Sequence, residues 1–255
     1  MSSNDLPVTY LTPSGSCYAF GNAFAQGCRG RATTSLVLRR ADFAGFVTPD
    51  LYPIFREAQE SGRNWYYGDH AYFGRKSYFR VSKNAYQHDA LGEAKPDRFE
   101  KLGFPIQNWR GGSKILLCPQ SDVFMRLHGI SQEQWIQDTT RDIKRYTDRR
   151  VKIHLKSPSN QLWQTERRFW QSLLDDVHAV VVYTSVAGVH AVLNGVPCFA
   201  TEKCASASFG SMDLSKIDAP VKPDNREEMA WVLAENQWTL NELARGMAWE
   251  KLRNQ

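Results

Sequence analysis

The sequence predicts an α/β protein built on parallel sheets, and three stretches carry that prediction. The first is 177–201, VHAVVVYTSVAGVHAVLNGVPCFAT, which reads as a buried strand, a Thr-Ser turn, a short helix, a Gly-Val-Pro turn and a second strand. The second is the alternation of strand and helix patterns from residue 114 onward, at the spacing of crossover connections, which implies a doubly wound sheet with right-handed crossovers. The third is the opening of the chain. A short strand at 7–11 (PVTYL) runs through a turn of small residues, Thr12-Pro13-Ser14-Gly15-Ser16, into a helix over 17–26.

In chain order, Gly15 is a lone glycine in a Ser-rich turn, so the G-x-G-x-x-G dinucleotide fingerprint is absent. A strand at 34–38, a helix at 51–60 and a strand at 64–68 (NWYYG) follow. The strand delivers 69–88, DHAYFGRKSYFRVSKNAYQH, where Tyr72, Phe73, Tyr78, Phe79 and Tyr86 interleave with Arg75, Lys76, Arg80 and Lys83. Such a mixture can stack on bases or sugars while its cations meet phosphates. It can equally be an amphipathic hairpin with a solvated basic face. Asp69 and His70 come straight off a strand end, where a catalytic acid or base is commonly mounted.

Residues 95–113 are polar and rich in Pro and Gly, which places a domain boundary near 110. A first domain is therefore expected over 1–110, a second over 111–235, and a terminal helix over 236–255 that returns to the first. KILLC (114–118) is a buried strand ending in Pro119-Gln120-Ser121-Asp122. Ser131 with Gln134 resembles a capping box for a helix over 132–146. A strand at 151–155 ends at Lys156, which could reach a phosphate held at a neighbouring loop, although a surface lysine is the commoner explanation. A helix over 164–174 precedes the strand at 177.

The β-branched run Val180-Val181-Val182 is that of a strand covered on both faces. Thr184 and Ser185 sit where the next helix needs its N-cap, and Val186, Val189 and Leu193 share one face of it. Ligands of open α/β sheets bind outside the carboxyl ends of the strands, and helix N-termini attract phosphate, so Ser185, Val186, Ala187 and Gly188 are the candidate diphosphate site. A loop of small residues at 201–211 and helices over 226–234 and 239–251 complete the chain.

Composition sets bounds on function. The 255 residues suffice for one α/β domain or two small ones, with 42% hydrophobic and 23% charged residues as in ordinary globular proteins. No apolar run is long enough to span a bilayer, and MSSNDLPV lacks the regions of a signal peptide, so the cytoplasm is the expected location, that of the host if a phage encodes the chain. The five cysteines show no C-x-x-C spacing, which argues for buried thiols over a disulfide framework or zinc site. A net charge of +5 favours anionic partners, though many plain enzymes share that balance.

The pattern TSVAGVHAVLNGVPCFA is similar to the TS-x-x-G-x-EA-x-x-x-GxP signature of capsule-type sugar transferases, glycerophosphotransferases and UDP-sugar 2-epimerases. The second half thus resembles the donor-binding domain of a GT-B glycosyltransferase. The resemblance implies two Rossmann-like domains flanking a cleft. It further implies a nucleotide-sugar co-substrate, UDP-sugar first among them, and no required cofactor. Donor-binding residues would be Ser14, Gly15, Ser121, Lys156, Thr184, Ser185, Ala187, Gly188 and His190, the last standing where those families carry a Glu facing the ribose.

YYGDHAYFGRKSYFRVSKNAYQHD, LLCPQSD and NQWTLNELARGMAW resemble a narrower group of phage and bacterial glycosyltransferase-like proteins. Their core is D-H-G-Y-F-x-R…Y-x-R-x-x-x-N-x-x-Q, with Ala71 here replacing Gly. Some are similar to TET/JBP-associated DNA glycosyltransferases, which decorate hydroxymethylpyrimidines in phage DNA. This resemblance implies transfer of a sugar to a 5-hydroxymethylpyrimidine in DNA, with Asp69 or His70 as catalytic base. Tyr72, Phe73, Arg75, Arg80, Lys83 and Asn84 would then form the acceptor surface and DNA would be the partner. No D-x-D motif is present, and metal ligation is not expected. Two alternatives remain open at this level: a surface or capsule glycan as acceptor, and a non-catalytic nucleotide- or DNA-binding protein on a GT-B shell. Stereochemistry and oligomeric state are not encoded in any motif.

Overall fold

The computed structural model describes residues 6–12, 15–35, 43–46, 49–75, 77–155 and 166–255. In chain order its first elements are β1 (Val8–Tyr10), α1 (Gly15–Cys28), β2 (Arg31–Thr33), β3 (Phe43–Phe46), α2 (Tyr52–Glu60), β4 (Trp65–His70) and β5 (Phe79–Lys83). Then follow α3 (Asp97–Leu102), β6 (Lys114–Cys118), α4 (Asp122–Leu127), α5 (Gln132–Ile143), β7 (Arg150–Ile153), α6 (Glu166–Leu173), β8 (Val177–Val182), α7 (Ala187–Leu193) and β9 (Cys198–Ala200). The chain ends with α8 (Arg226–Glu235), β10 (Gln237–Trp238), α9 (Leu240–Ala244) and α10 (Met247–Leu252). It divides into two compact units, Met1–Tyr86 with Asn236–Gln255, and Gln87–Glu235.

In the first unit the strand order is β2-β1-β3-β4-β5-β10. Neighbours from β2 to β4 are parallel, whereas β5 is antiparallel to both β4 and β10. Cys17, Phe20, Phe24 and Cys28 recur at helical spacing on α1 and lie in one core with Tyr66, Phe79, Trp238, Leu243 and Trp249. Gly27 and Gly246 meet here. A Cβ on Gly246 would press on the Gly27 carbonyl, and Gly246 itself adopts a left-handed φ of 82°. That turn splits the helix expected over 239–251 in two. Phe55 of α2 packs against Trp65, Tyr67 and Tyr86.

The second unit holds a fully parallel sheet in the order β7-β6-β8-β9. Ile115, Leu117, Ala179, Val181 and Phe199 share one core with Ile143 of α5 and Ile217. Leu116, Val180 and Val182, alternate in sequence and therefore on the opposite face, are equally buried. This two-sided burial is what the uninterrupted valine run requires.

Residues 87–110, grouped with the first domain on composition, belong to the second unit. Polar residues mislead here because they serve as internal ties. Arg110 donates to the Asn194 and Leu174 carbonyls, and Gln107 N–H to Leu193. Of the strand expected over 34–38, residues 36–38 lie outside the described residues, and β2 ends at Thr33. Strand β3, helix α3 and strand β10 carry too little periodicity to be read in advance. No helix among the described residues is long and apolar enough to cross a membrane.

Candidate functional site

In the second unit the chain leaves β6 for β7 on one side and then returns across it to β8 on the other. The loops after β6 and β8 therefore diverge at a topological switch point, where open α/β sheets form a ligand crevice. Gln120 and Ser121 follow β6, and Tyr183, Thr184 and Ser185 follow β8.

Backbone groups at this point are held by side chains from three directions. The Thr184 carbonyl accepts from Gln120 Nε2 at 3.2 Å and from Gln87 Nε2. The Tyr183 carbonyl accepts from Thr201 Oγ1 at 2.6 Å. Gln120 Oε1 takes the Ser121 N–H at 2.9 Å, and the Gln120 carbonyl takes Gln132 Nε2 at 2.7 Å. His128 meets Tyr183 edge-on, with centroids 6.0 Å apart, and Phe124 at a tilt, 4.8 Å away. Burial, aided by the charge of Lys203, holds the imidazole down at about 4. Lys203 thus brings a cation to the same edge, and His128 is neutral at physiological pH.

Helix α7 differs in detail from the expectation. Its N-cap is Val186 rather than Thr184 or Ser185, and no side chain caps it directly. Ser185 Oγ instead accepts the Ala187 N–H at 3.3 Å, and the Gly188 N–H bonds the Ser185 carbonyl at 3.1 Å. Two of the four backbone donors assigned to a diphosphate are therefore engaged locally, and at seven residues the helix has a weak dipole. Gly188 has a packing reason: a Cβ there would meet Ser206 Oγ and Cys198 Sγ. Ala187 is buried and Thr184 fully so, which leaves Ser185 and Val186 half-buried in the turn.

His190 is 1% exposed, and its ring lies 4.4 Å from that of Trp170 at an interplanar angle of 12°. Phe104 closes the group at 6.0 Å, beside a shallow depression that also involves Pro105. The position where the signature has a ribose-facing Glu is committed here to an aromatic stack. An ionised carboxylate would be poorly placed against that indole.

In the first unit, Asp69 and His70 end β4. Asp69 Oδ2 pairs with Arg80 Nη2 at 2.6 Å and accepts from Tyr67 Oη at 3.1 Å, while Oδ1 accepts the His70 N–H at 2.7 Å. Arg80 is 2% exposed. It also donates to the carbonyls of His70 (3.1 Å) and Tyr86 (2.6 Å), and lies over the rings of Tyr72 (4.9 Å) and Tyr67 (5.6 Å). Burial pushes the Tyr67 hydroxyl well above its ordinary value, and the neighbouring Asp69 carboxylate adds to that shift.

This geometry corrects the expected acceptor surface. Tyr72 and Phe73 are fully buried, and the Phe73 N–H and carbonyl are paired with the Gln237 carboxamide at 3.1 and 2.9 Å. Arg80 is an internal cation. Asn84 adopts a left-handed φ of 54°, and its Oδ1 takes the Trp65 N–H at 2.9 Å, a turn role that suits Asn. Arg75 and Lys83 are half-buried, and Gly15 is exposed at the first turn of α1. Ser14 and Lys156 lie outside the described residues. Gln87 and Gln120 were missed as site residues, because a glutamine that ties loops has no distinctive spacing; its only mark was membership of the N-x-x-Q core.

The fold these units define is GT-B-like: α/β, with parallel sheets and helices in both. No protein-family model matches the chain, and no curated protein matches it. Among solved structures it is similar to the β-Kdo 2,4 transferase of Thermosulfurimonas dismutans KpsC, with a TM-score of 0.50 and 9% identity over 89% of this chain and 90% of that one. It also aligns with the KpsC β-Kdo 2,7 transferase of the same organism, at a TM-score of 0.47 and 12% identity over 97% and 99%. At such identity the first likeness is one of fold, and the second carries no argument.

Proposed function

We propose that the protein is a glycosyltransferase that moves a sugar from a nucleotide-sugar to a hydroxyl of a glycan. The observation that carries this reading is the switch point of the second unit, where Thr184-Ser185 and Gln120-Ser121 leave adjacent parallel strands on a GT-B-like frame. Donor phosphate oxygens would be met by Ser185 and by backbone N–H groups of that turn, with Lys203 supplying positive charge. As the acceptor oxygen bonds to the anomeric carbon, the carbon–oxygen bond to phosphate breaks and the nucleotide leaves with the electron pair. The acceptor proton passes to a base.

A glycan acceptor is favoured over DNA for a physical reason. Tyr72, Phe73 and Arg80, which were to stack on bases and meet phosphates, are interior residues. The similar fold named above belongs to a protein described as a sugar transferase. The test is a thermal-shift and nucleotide-release screen with UDP-, GDP-, CDP- and CMP-activated sugars. One donor should raise the midpoint, since a ligand at about 100 times its Kd stabilises by about 2.7 kcal/mol. Absence of both a shift and nucleotide release for every donor would refute the reading, and steeply salt-dependent binding of hydroxymethylated DNA would restore DNA as the acceptor.

A further inference from the structure

Gln87 is a buried carboxamide, 7% exposed, and both of its ends are used. Its Nε2 donates to the Thr184 carbonyl in the turn after β8, and its Oε1 accepts the Ala205 N–H at 2.7 Å in the loop after β9. One side chain thus reads a carbonyl from one loop and an N–H from another, as a strand neighbour would. Gln120, from the loop after β6, adds a second amide donor to the same Thr184 carbonyl.

The loop that Gln87 holds leans directly on the switch-point turn. Cys204 Sγ donates to the Ser185 carbonyl at 3.6 Å and lies 3.2 Å from Ser206 Oγ, and Ser206 fills the space a side chain on Gly188 would need. A shift of residues 204–206 is therefore transmitted to Ser185 and Gly188. What the carboxamide sets is the path of the backbone at the turn.

We propose that Gln87 is a positioning residue for the nucleotide-sugar, acting through the backbone of Thr184 and Ala205 to shape the turn after β8. This rests on the donor assignment made above. Leucine at 87 has nearly the same volume and no hydrogen bonds. Glutamate keeps an acceptor for the Ala205 N–H but sets a carboxylate oxygen against the Thr184 carbonyl, so it should fail as badly as leucine.

The test uses the full chain and measures binding of UDP, GDP, CDP and CMP by calorimetry, with amide hydrogen exchange followed in peptides covering 183–188 and 201–211. For the nucleotide that the wild type binds, Gln87→Leu and Gln87→Glu should each lose at least about tenfold in affinity, a change of about 1.4 kcal/mol. Exchange should rise in those two segments and nowhere else. Thr239→Ala, which breaks a capping box in the first unit, controls for general destabilisation and should bind as the wild type does. Gln120→Leu gives an independent variant if substitution at 87 prevents folding, and should lose affinity in the same direction. Wild-type affinity in the variants, or an equal loss in Thr239→Ala, would overturn the proposal while leaving the donor site standing. A wild type that binds none of the four nucleotides would overturn both.

Discussion

Replacing Asp69 with Asn probes the pair around which the first unit's candidate chemistry is built. The substitution keeps size and hydrogen-bonding capacity but leaves the Arg80 guanidinium buried with its nearest counter-charge removed. Breaking a buried pair from one side costs about 3–5 kcal/mol. Because Asp69 is 25% exposed and Arg80 keeps two carbonyl acceptors, the lower figure applies here, about 3 kcal/mol. For a chain of this length that corresponds to a fall in midpoint of roughly 6–12 °C. Calorimetric melting of the wild type, Asp69→Asn, Arg80→Met and the double variant would measure it. The double variant should recover much of the loss, since replacing both partners removes the stranded charge. A fall below about 2 °C in Asp69→Asn, or strict additivity in the double variant, would refute the ion pair as an energetic unit. The same result bears on mechanism. Lost turnover in Asp69→Asn is interpretable as lost chemistry only at temperatures where the variant is folded, so the cleaner test of the base is His70→Gln.

Three further outcomes follow from packing and burial. Gly188→Ala places a methyl group against Ser206 Oγ and Cys198 Sγ and should cost about 1–3 kcal/mol in denaturant titration; a neutral result would mean that the 204–206 loop gives way easily. His128 binds its proton at about 4 in the folded protein against an ordinary 6.5, so the unfolded chain takes the proton first as pH falls. Stability should therefore decline by about 1–2 kcal/mol between those values, after allowance for partial exposure, and His128→Phe should flatten that part of the profile. All five cysteines are buried free thiols, and burial raises Cys118 to about 12 and Cys198 further, so native protein should resist an aromatic disulfide reagent and release five equivalents on unfolding. Prompt reaction of any thiol would contradict the burial of that residue.

The parallel sheet of the second unit was legible because its signal is redundant. The valine run of β8 appears as an unbroken apolar stretch, its helix begins with hydroxyl residues, and its far end is punctuated by Asn194-Gly195 and Pro197. Ser131 as an N-cap was equally legible, and its Oγ accepts the Gln134 N–H at 3.3 Å. The aromatic and basic segment after β4 was not, since interleaved Tyr, Phe and Arg look alike whether they face solvent or an internal cation. What decides is long-range pairing: β5 is covered by β10, more than 150 residues away in sequence, and Gln237 from that strand takes up the Phe73 backbone. A segment with a partner so distant cannot disclose its buried face through local pattern.

The two misreadings share one cause, and it bears on how the turn after β8 is held. Gln87, Gln120, Arg80 and Arg110 are all long polar side chains that composition assigns to the surface, and each serves backbone carbonyls inside the fold. The carbonyls of Tyr183 and Thr184 follow the last paired residue of β8, Val182, and are met by side chains. Water could satisfy them at little cost, but under the proposed sugar transfer, which must exclude water, the donors would have to come from the protein itself. Thr201, Gln87 and Gln120 provide these, each from a different loop. Under the proposed donor assignment, the side chains behind Ser185 would let a strand end serve as a dry phosphate-binding edge. Under that assignment the amides of 183–188 should exchange more slowly once a donor nucleotide binds, and an unchanged rate would count against a phosphate site at this turn.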